Sequence, residues 1–273
     1  MMRRYSFSRW HLLLMPLSLV FLLPLVQMLL ASFTSNADIN RFPPRFFPSA
    51  LHISGYVRLF RDAPVARWML NSAIVSGIAI VSHLILCSLG GYAYARLSFR
   101  GRTVAFVTLV ATIMIPTQML MIPTYFMFSH LGLIDTLGAA FVPFLTSAFG
   151  VFLMRQYIVS SVPNELIDAS RVDGCHTLRV FWHVVLPAVR PAAAVLGLLT
   201  FMNAWNDFFW PLIVLTPGNP TVQVAVSTLQ SGYVQDYSLV FAGTFVSILP
   251  LLVIFLVLGR QIIGGIMKGA VKG

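Results

Sequence analysis

The chain has 273 residues, of which 58% are hydrophobic and 10% charged, with a formal net charge of +10. With a mean hydropathy of +0.85, this composition excludes a soluble globular domain, in which about a quarter of residues are charged, and defines a polytopic membrane protein. The basic residues are scattered through short loops and not gathered on a patch with stacking aromatics, so membrane topology explains them better than nucleic-acid binding does.

A bilayer core takes about 20 apolar residues per spanning helix. Six stretches qualify, at 11–33, 69–95, 104–128, 137–158, 189–215 and 239–259. They divide the chain into a short N-terminal segment (1–10), a transmembrane region (11–260) and a C-terminal tail (261–273). The expected fold class is an all-α membrane protein with six transmembrane helices.

The first stretch is apolar from Leu12 to Leu30. That is longer than a signal-peptide h-region, so it reads as an uncleaved signal anchor. Pro43, Pro44 and Pro48 make the next connection extended and poorly helical. In the second stretch His83 and Cys87 lie one helical turn apart, but two ligands without a third are a weak metal signal, and helix packing is the simpler reading. Pro116 and Pro123 fall inside the third stretch, where each removes a backbone donor and should kink the helix. Such a kink is either tolerated by packing or helps to shape a gate. In the fifth stretch Asn203, Asn206 and Asp207 are polar groups that would be costly facing lipid. They are expected near a translocation path, or else near the external end or bonded to neighbouring helices. Pro217-Gly218-Asn219-Pro220 marks a turn after this stretch.

The arginines orient the spans. Arg3, Arg4 and Arg9 precede the first span; Arg96, Arg100 and Arg102 follow the second; Arg171 and Arg179 sit in the long insertion at 159–187; Lys268 and Lys272 close the chain. By the positive-inside rule these regions, both termini included, face the cytoplasm. The loops at 129–136 and 216–238 contain no Lys or Arg and belong outside. The first external loop departs from the rule with Arg41, Arg45, Arg58, Arg61 and Arg67.

The insertion carries the strongest local signal. Pro163 suits the first turn of a helix, Glu165 favours its positive end, and Gly174 suits a left-handed stop. Ala169 and Ser170 put small side chains at mid-helix, where another backbone can approach. Asp173 opposes the dipole, so it caps the next helix, expected from about Cys175, or bonds a partner. The spacing is Asp168-Ala169-Ser170, three residues, Gly174, nine residues, Val184-x-Leu186-Pro187.

That spacing resembles the cytoplasmic coupling loop of the membrane subunits of binding-protein-dependent ABC importers, Glu-Ala-Ala, three residues, Gly, nine residues, Ile-x-Leu-Pro, with Asp for Glu, Ser for Ala and Val for Ile. The segments WMLNSAIVS (68–76), YAYARLSFRGR (92–102), NAWNDFFWPLIVL (203–215) and GAVKG (269–273) are similar to the carbohydrate-uptake branch, with the shape of the second permease subunit of the maltose importer. The resemblance implies the type I permease fold in a bacterial or archaeal cell membrane. It also implies a short coupling helix that meets an ATPase through Glu165, Asp168, Ala169, Ser170, Asp173, Gly174, Leu186 and Pro187, and a further ATPase contact at Gly269, Lys272 and Gly273. The implied partners are a second permease subunit, two ATPase subunits and an extracellular or periplasmic solute-binding protein. The implied substrate is an oligosaccharide, amino sugar, polyol or glycerol-phosphate compound.

The chain has no Gly-x-Ser-x-Gly, His-Glu-x-x-His or phosphate-binding Gly-x-x-x-x-Gly-Lys-Ser/Thr sequence. It is therefore expected to be non-catalytic and to bind no cofactor, with ATP and Mg on the partner ATPase. Two alternatives share part of the pattern. A permease for a non-carbohydrate solute has the same coupling loop, and a secondary transporter has the same number of spans but usually more intramembrane charge.

Overall fold

The computed structural model describes residues 10–43, 47–230 and 236–270, the stretch 258–270 by its backbone alone. Among these residues the structure is helical, with no strand. Four helices are long and apolar enough to cross a bilayer: Trp10–Ser32 (α1), Val65–Arg96 (α3), the interrupted Leu137–Ser161, and Tyr237–Val257, the apolar part of α11 (Tyr237–Ala270). Two bent pairs bring the total to six if each is one span.

The bends have covalent causes. Arg102–Ala111 (α4) tightens through a turn at Thr112–Met114 and meets Thr117–His130 (α5) at 101°. Pro116 drives its predecessor out of the helical region, and Ile115 is extended at φ −81, ψ 118. The expected kink at Pro116 is thus a full break, whereas Pro123 is carried inside α5. The second bend, 82°, falls at Val189, between Thr177–Ala188 and Arg190–Asn206 (α9). Pro191 sits at the first turn of α9, where no amide donor is needed. The expected continuous helix over 189–215 is corrected by a second interruption. Asp207 is extended, and a separate helix, Phe209–Val214 (α10), follows.

The described residues divide into two compact units, one falling within 1–65 and 226–249, the other within 66–225 and 250–273. In the first, α1 is exposed along most of its length, as suits a helix solvated by lipid. Its end is tied to Ser54–Asp62 (α2) by a 2.7 Å bond between the Ser32 and Tyr56 hydroxyls. Arg58 holds Asp236 through two contacts of 2.8 and 3.0 Å, and Asn36 donates to Asp236 at 2.8 Å. Burial pulls the Asp236 carboxyl upward. The bonds from Asn36, the Leu239 N–H and Arg58 outweigh burial and hold it below the ordinary carboxylate value.

The second unit has a core of Cys87 and Tyr92 from α3, Met154 and Ile158 from Ala148–Ser161 (α6), and Phe181, Val185 and Leu196. Helices α3 and α6 approach closely because small residues line the crossing. Gly91 faces the Arg155 backbone, and Gly150 faces the Cys87 sulfur. A second cluster gathers Val75, Phe128, Ala139, Ala140 and Trp210, whose indole donates to the Ala139 carbonyl at 2.8 Å. The loops of this unit gather by end. Asn71, near the start of α3, donates to Asn219 and to the Pro220 carbonyl, and Asp135 accepts from the Thr216 N–H and hydroxyl. At the other end of α3, Arg96 meets the end of α6 and the insertion.

Candidate functional site

The insertion folds as a helix of two turns or so, Asn164–Val172 (α7), entered at Pro163 with Glu165 in its first turn and Arg171 in its last, each matching the dipole. It ends in a Schellman motif: the Gly174 N–H donates to the Arg171 carbonyl and the Cys175 N–H to the Ser170 carbonyl, both at 3.0 Å, with Gly174 at φ +80. One residue anchors it. Ile167 is 3% exposed and packs in the core with Val162 and Phe181.

Because successive residues on a helix turn by about 100°, Glu165, Ala169 and Val172 point away from Ile167 and Asp168 lies on the flank, and all are exposed. Ser170 lies nearer the buried side, half-buried, with its hydroxyl donating to the Leu166 carbonyl at 2.7 Å. Asp173 is the C-terminal cap, its N–H donating to the Ala169 carbonyl. It does not cap the following helix. That helix, Thr177–Val180 (α8), starts two residues beyond Cys175, behind His176, with no side-chain cap. From Thr177 the path runs through a wide π turn at Phe181–Val185 into Leu186–Ala188. Leu186 is half-buried against the core and Pro187 half-buried beside it.

Arg96, which the sequence reading used only for orientation, clamps this loop. Its guanidinium donates to the Asn164 side chain at 2.6 Å and to the carbonyls of Ile158 (3.3 Å), Val159 (3.2 Å) and Val162. In the last turn of α6 the Ile158 carbonyl already accepts from the Val162 N–H, whereas the Val159 carbonyl has no helical donor; Arg96 supplies one while holding the first residue of α7. The available signal was a basic residue at a helix end close to a second helix end; which end it serves is a tertiary fact.

The polar residues of the fifth span separate. Asn203 and Asp207 line a cavity of about 640 Å³ with His83, Thr117, Ser147, Thr200 and aromatic neighbours. The Asp207 carboxylate lies against the backbone N–H groups of Trp210 and Phe208. Asn206 lies apart from this lining, exposed, donating to the Met202 carbonyl at 2.9 Å and accepting from Gln223 at 3.4 Å. His83 pairs with the Ser147 hydroxyl at 3.1 Å, and the Cys87 thiol with Thr146 and the Ser147 carbonyl. Cys87 and Cys175 are both free thiols. Among the described residues no three His, Cys, Asp or Glu side chains gather as a metal site would require. Gly269 lies in the last helix, in the stretch described by backbone alone, and Lys272 and Gly273 fall outside the described residues.

Up to six apolar spans, a short helix with one buried side between two of them, and a cavity in the second unit with polar groups in its lining are the parts of a membrane permease. Residues 87–261 match the family of binding-protein-dependent transport system inner membrane components, and the chain belongs to that family. It is 34% identical to the arabinooligosaccharide transport system permease of Halalkalibacterium halodurans, over 92% of this chain and 91% of that one. It is also 34% identical to the lactose transport system permease of Rhizobium radiobacter, over 77% and 76%. A crystal structure of a bacterial ABC transporter that imports the acidic polysaccharide alginate superposes with a TM-score of 0.80 at 25% identity, covering 93% of this chain and 98% of that one. The fold is the six-span type I permease fold, and the chain is a multi-pass membrane permease of the carbohydrate-uptake kind.

Proposed function

We propose that this chain is one of two permease subunits in an ATP-driven importer of sugars or related solutes, and that α7 transmits closure of a separate ATPase to the spans. A solute-binding protein delivers the substrate, as the family description implies. ATP and Mg sit on two ATPase subunits, and this chain is non-catalytic. The observation that carries the reading is the construction of α7. Ile167 and the Arg96 clamp fasten one side to the core, while Glu165, Asp168 and Ala169 are left exposed. A helix held on one face and bare on the other moves its own bundle when a partner moves it. Gly174, Leu186 and Pro187 set its direction, and Gly269, Lys272 and Gly273 supply a second ATPase contact.

The orientation has both termini and 159–187 cytoplasmic. The end of the second unit where Asp135 meets Thr216 joins the two loops lacking Lys and Arg, and the end where Arg96 meets Asn164 joins two arginine-bearing segments, as the positive-inside rule requires. Single cysteines at Ser227 and Thr177, with Cys87 and Cys175 replaced, are expected to react with an impermeant maleimide on intact cells at Ser227 only; reaction at Thr177 overturns the orientation. Asn203 and Asp207 border the substrate path from the cavity wall, and Asn206 borders it from outside that lining.

The coupling reading is tested with Ala169→Trp in the assembled complex. Its side chain points away from the core, so the variant inserts and folds while stimulation of ATPase activity by loaded binding protein is lost. Wild-type stimulation and transport would refute the docking of α7.

A further inference from the structure

The cavity in the second unit specifies the charge of what passes it. We infer that this chain contributes a subsite for an uncharged saccharide, in which Asn203, Thr200 and Asp207 bond sugar hydroxyls and Phe149 offers an apolar face; the inference rests on the transport reading above. The volume, about 640 Å³, lies within the range of about 300–1,000 Å³ typical of small-molecule sites, and far exceeds what a bare ion needs. Apart from Asp207, its polar groups are the Asn203 amide, the Thr117, Thr124, Thr146 and Thr200 hydroxyls, and the His83–Ser147 pair. Thr200 and His83 are only 3% and 5% exposed, so their polar groups are presented by a packed wall and not by a mobile surface. Phe149 is 47% exposed and lines the same space, which suits the C–H face of a sugar ring.

The charge balance carries the argument. No Lys or Arg lines the cavity, and its one acid is Asp207. A carboxylated or phosphorylated solute would approach that carboxylate with no cation to offset it, a costly arrangement at membrane depth where the effective dielectric is low. A cationic solute is not required either. Asp207 already faces two backbone N–H groups at the start of α10, and its remaining lone pairs suit hydroxyl donors.

The experiment places a single cysteine at Asn203, in the assembled importer with Cys87 and Cys175 replaced, and follows its rate of modification by a thiosulfonate reagent. Maltotriose is the neutral probe and trigalacturonate the acidic one. At about ten times its Kd maltotriose lowers the rate about tenfold, because only the unoccupied fraction reacts; trigalacturonate leaves it unchanged. Protection by trigalacturonate, or by neither probe, overturns the inference. Uptake of the two probes by the wild-type importer gives a second measure that needs no variant: preference for the neutral one supports the inference, and equal or reversed preference refutes it. Protection without any ATPase stimulation by loaded binding protein would break the coupling reading and leave the subsite standing. ATPase stimulation without protection would do the reverse.

Discussion

Gly91 and Gly174 are both glycines near helices of the same unit, and they are needed for opposite reasons. At Gly91, on the crossing of α3 and α6, a Cβ would sit 2.7 Å from the Arg155 backbone nitrogen and 2.8 Å from the Met154 Cβ, with an ordinary helical φ. At Gly174, after α7, a Cβ would meet nothing within 4 Å, but φ is +80. One position lacks room and the other lacks a comfortable backbone. The crossing is therefore governed by packing between helices, and the coupling loop by local chain geometry with one face left bare. The proposed coupling needs both, packed helices to move and a helix outside them to be moved by.

The largest test of that contrast is Gly91→Leu. The nearest obstacles are backbone and Cβ atoms that cannot swing aside, so the helices must part. Overpacking of this kind costs about 3 kcal/mol at the upper end of its usual range, which is expected as a clear loss of thermal stability in detergent. Stability equal to wild type would mean that the two helices do not approach as described.

Arg96→Ala is expected to come next, because it unites the two regions. It leaves the carbonyls of Ile158, Val159 and Val162 and the Asn164 side chain without their shared donor. Hydrogen bonds to charged groups contribute about 1.5–3 kcal/mol each, discounted here because part of the site is open to water. A loss of about 2 kcal/mol overall is expected, with ATPase stimulation falling more than Arg96→Lys reduces it, since a lysine provides charge without the planar fork. If Arg96→Ala matched Arg96→Lys in both measurements, the clamp would be ordinary surface charge.

Much of this was legible from residues alone, and the boundary between legible and hidden is physical. The spans follow from hydropathy, and the limits of α7 from Pro163 and Gly174, because local conformational preferences act there without help. Pro116 announced an interruption but not its 101° angle, which depends on what each arm packs against. The break at Asp207, the π turn at Phe181–Val185 and the Arg96 clamp had no local signature, since each is settled by which elements meet. The capping role expected of Asp173 failed for the same reason, while its alternative, a bond to a partner, belongs to the proposed coupling. The Asp173 backbone serves the end of α7, and the helix it was expected to cap begins two residues later than expected.

The smallest and sharpest test compares Gly174→Asn with Gly174→Val. If φ alone makes glycine necessary, the residue that best tolerates the left-handed region should replace it at little cost, and a β-branched residue should not. The left-handed conformation costs an ordinary L-residue about 1–2 kcal/mol, while asparagine is relieved by local hydrogen bonding. Gly174→Val is therefore expected to lower ATPase stimulation by loaded binding protein about tenfold if about 1.4 kcal/mol is lost from the docked geometry, with bundle stability in detergent almost unchanged. Gly174→Asn should stay close to wild type in both measurements. Should the two variants fail equally, the space above Gly174, open in this chain, must be filled by the partner, and Gly174 would then resemble Gly91 after all: a residue kept small for close approach.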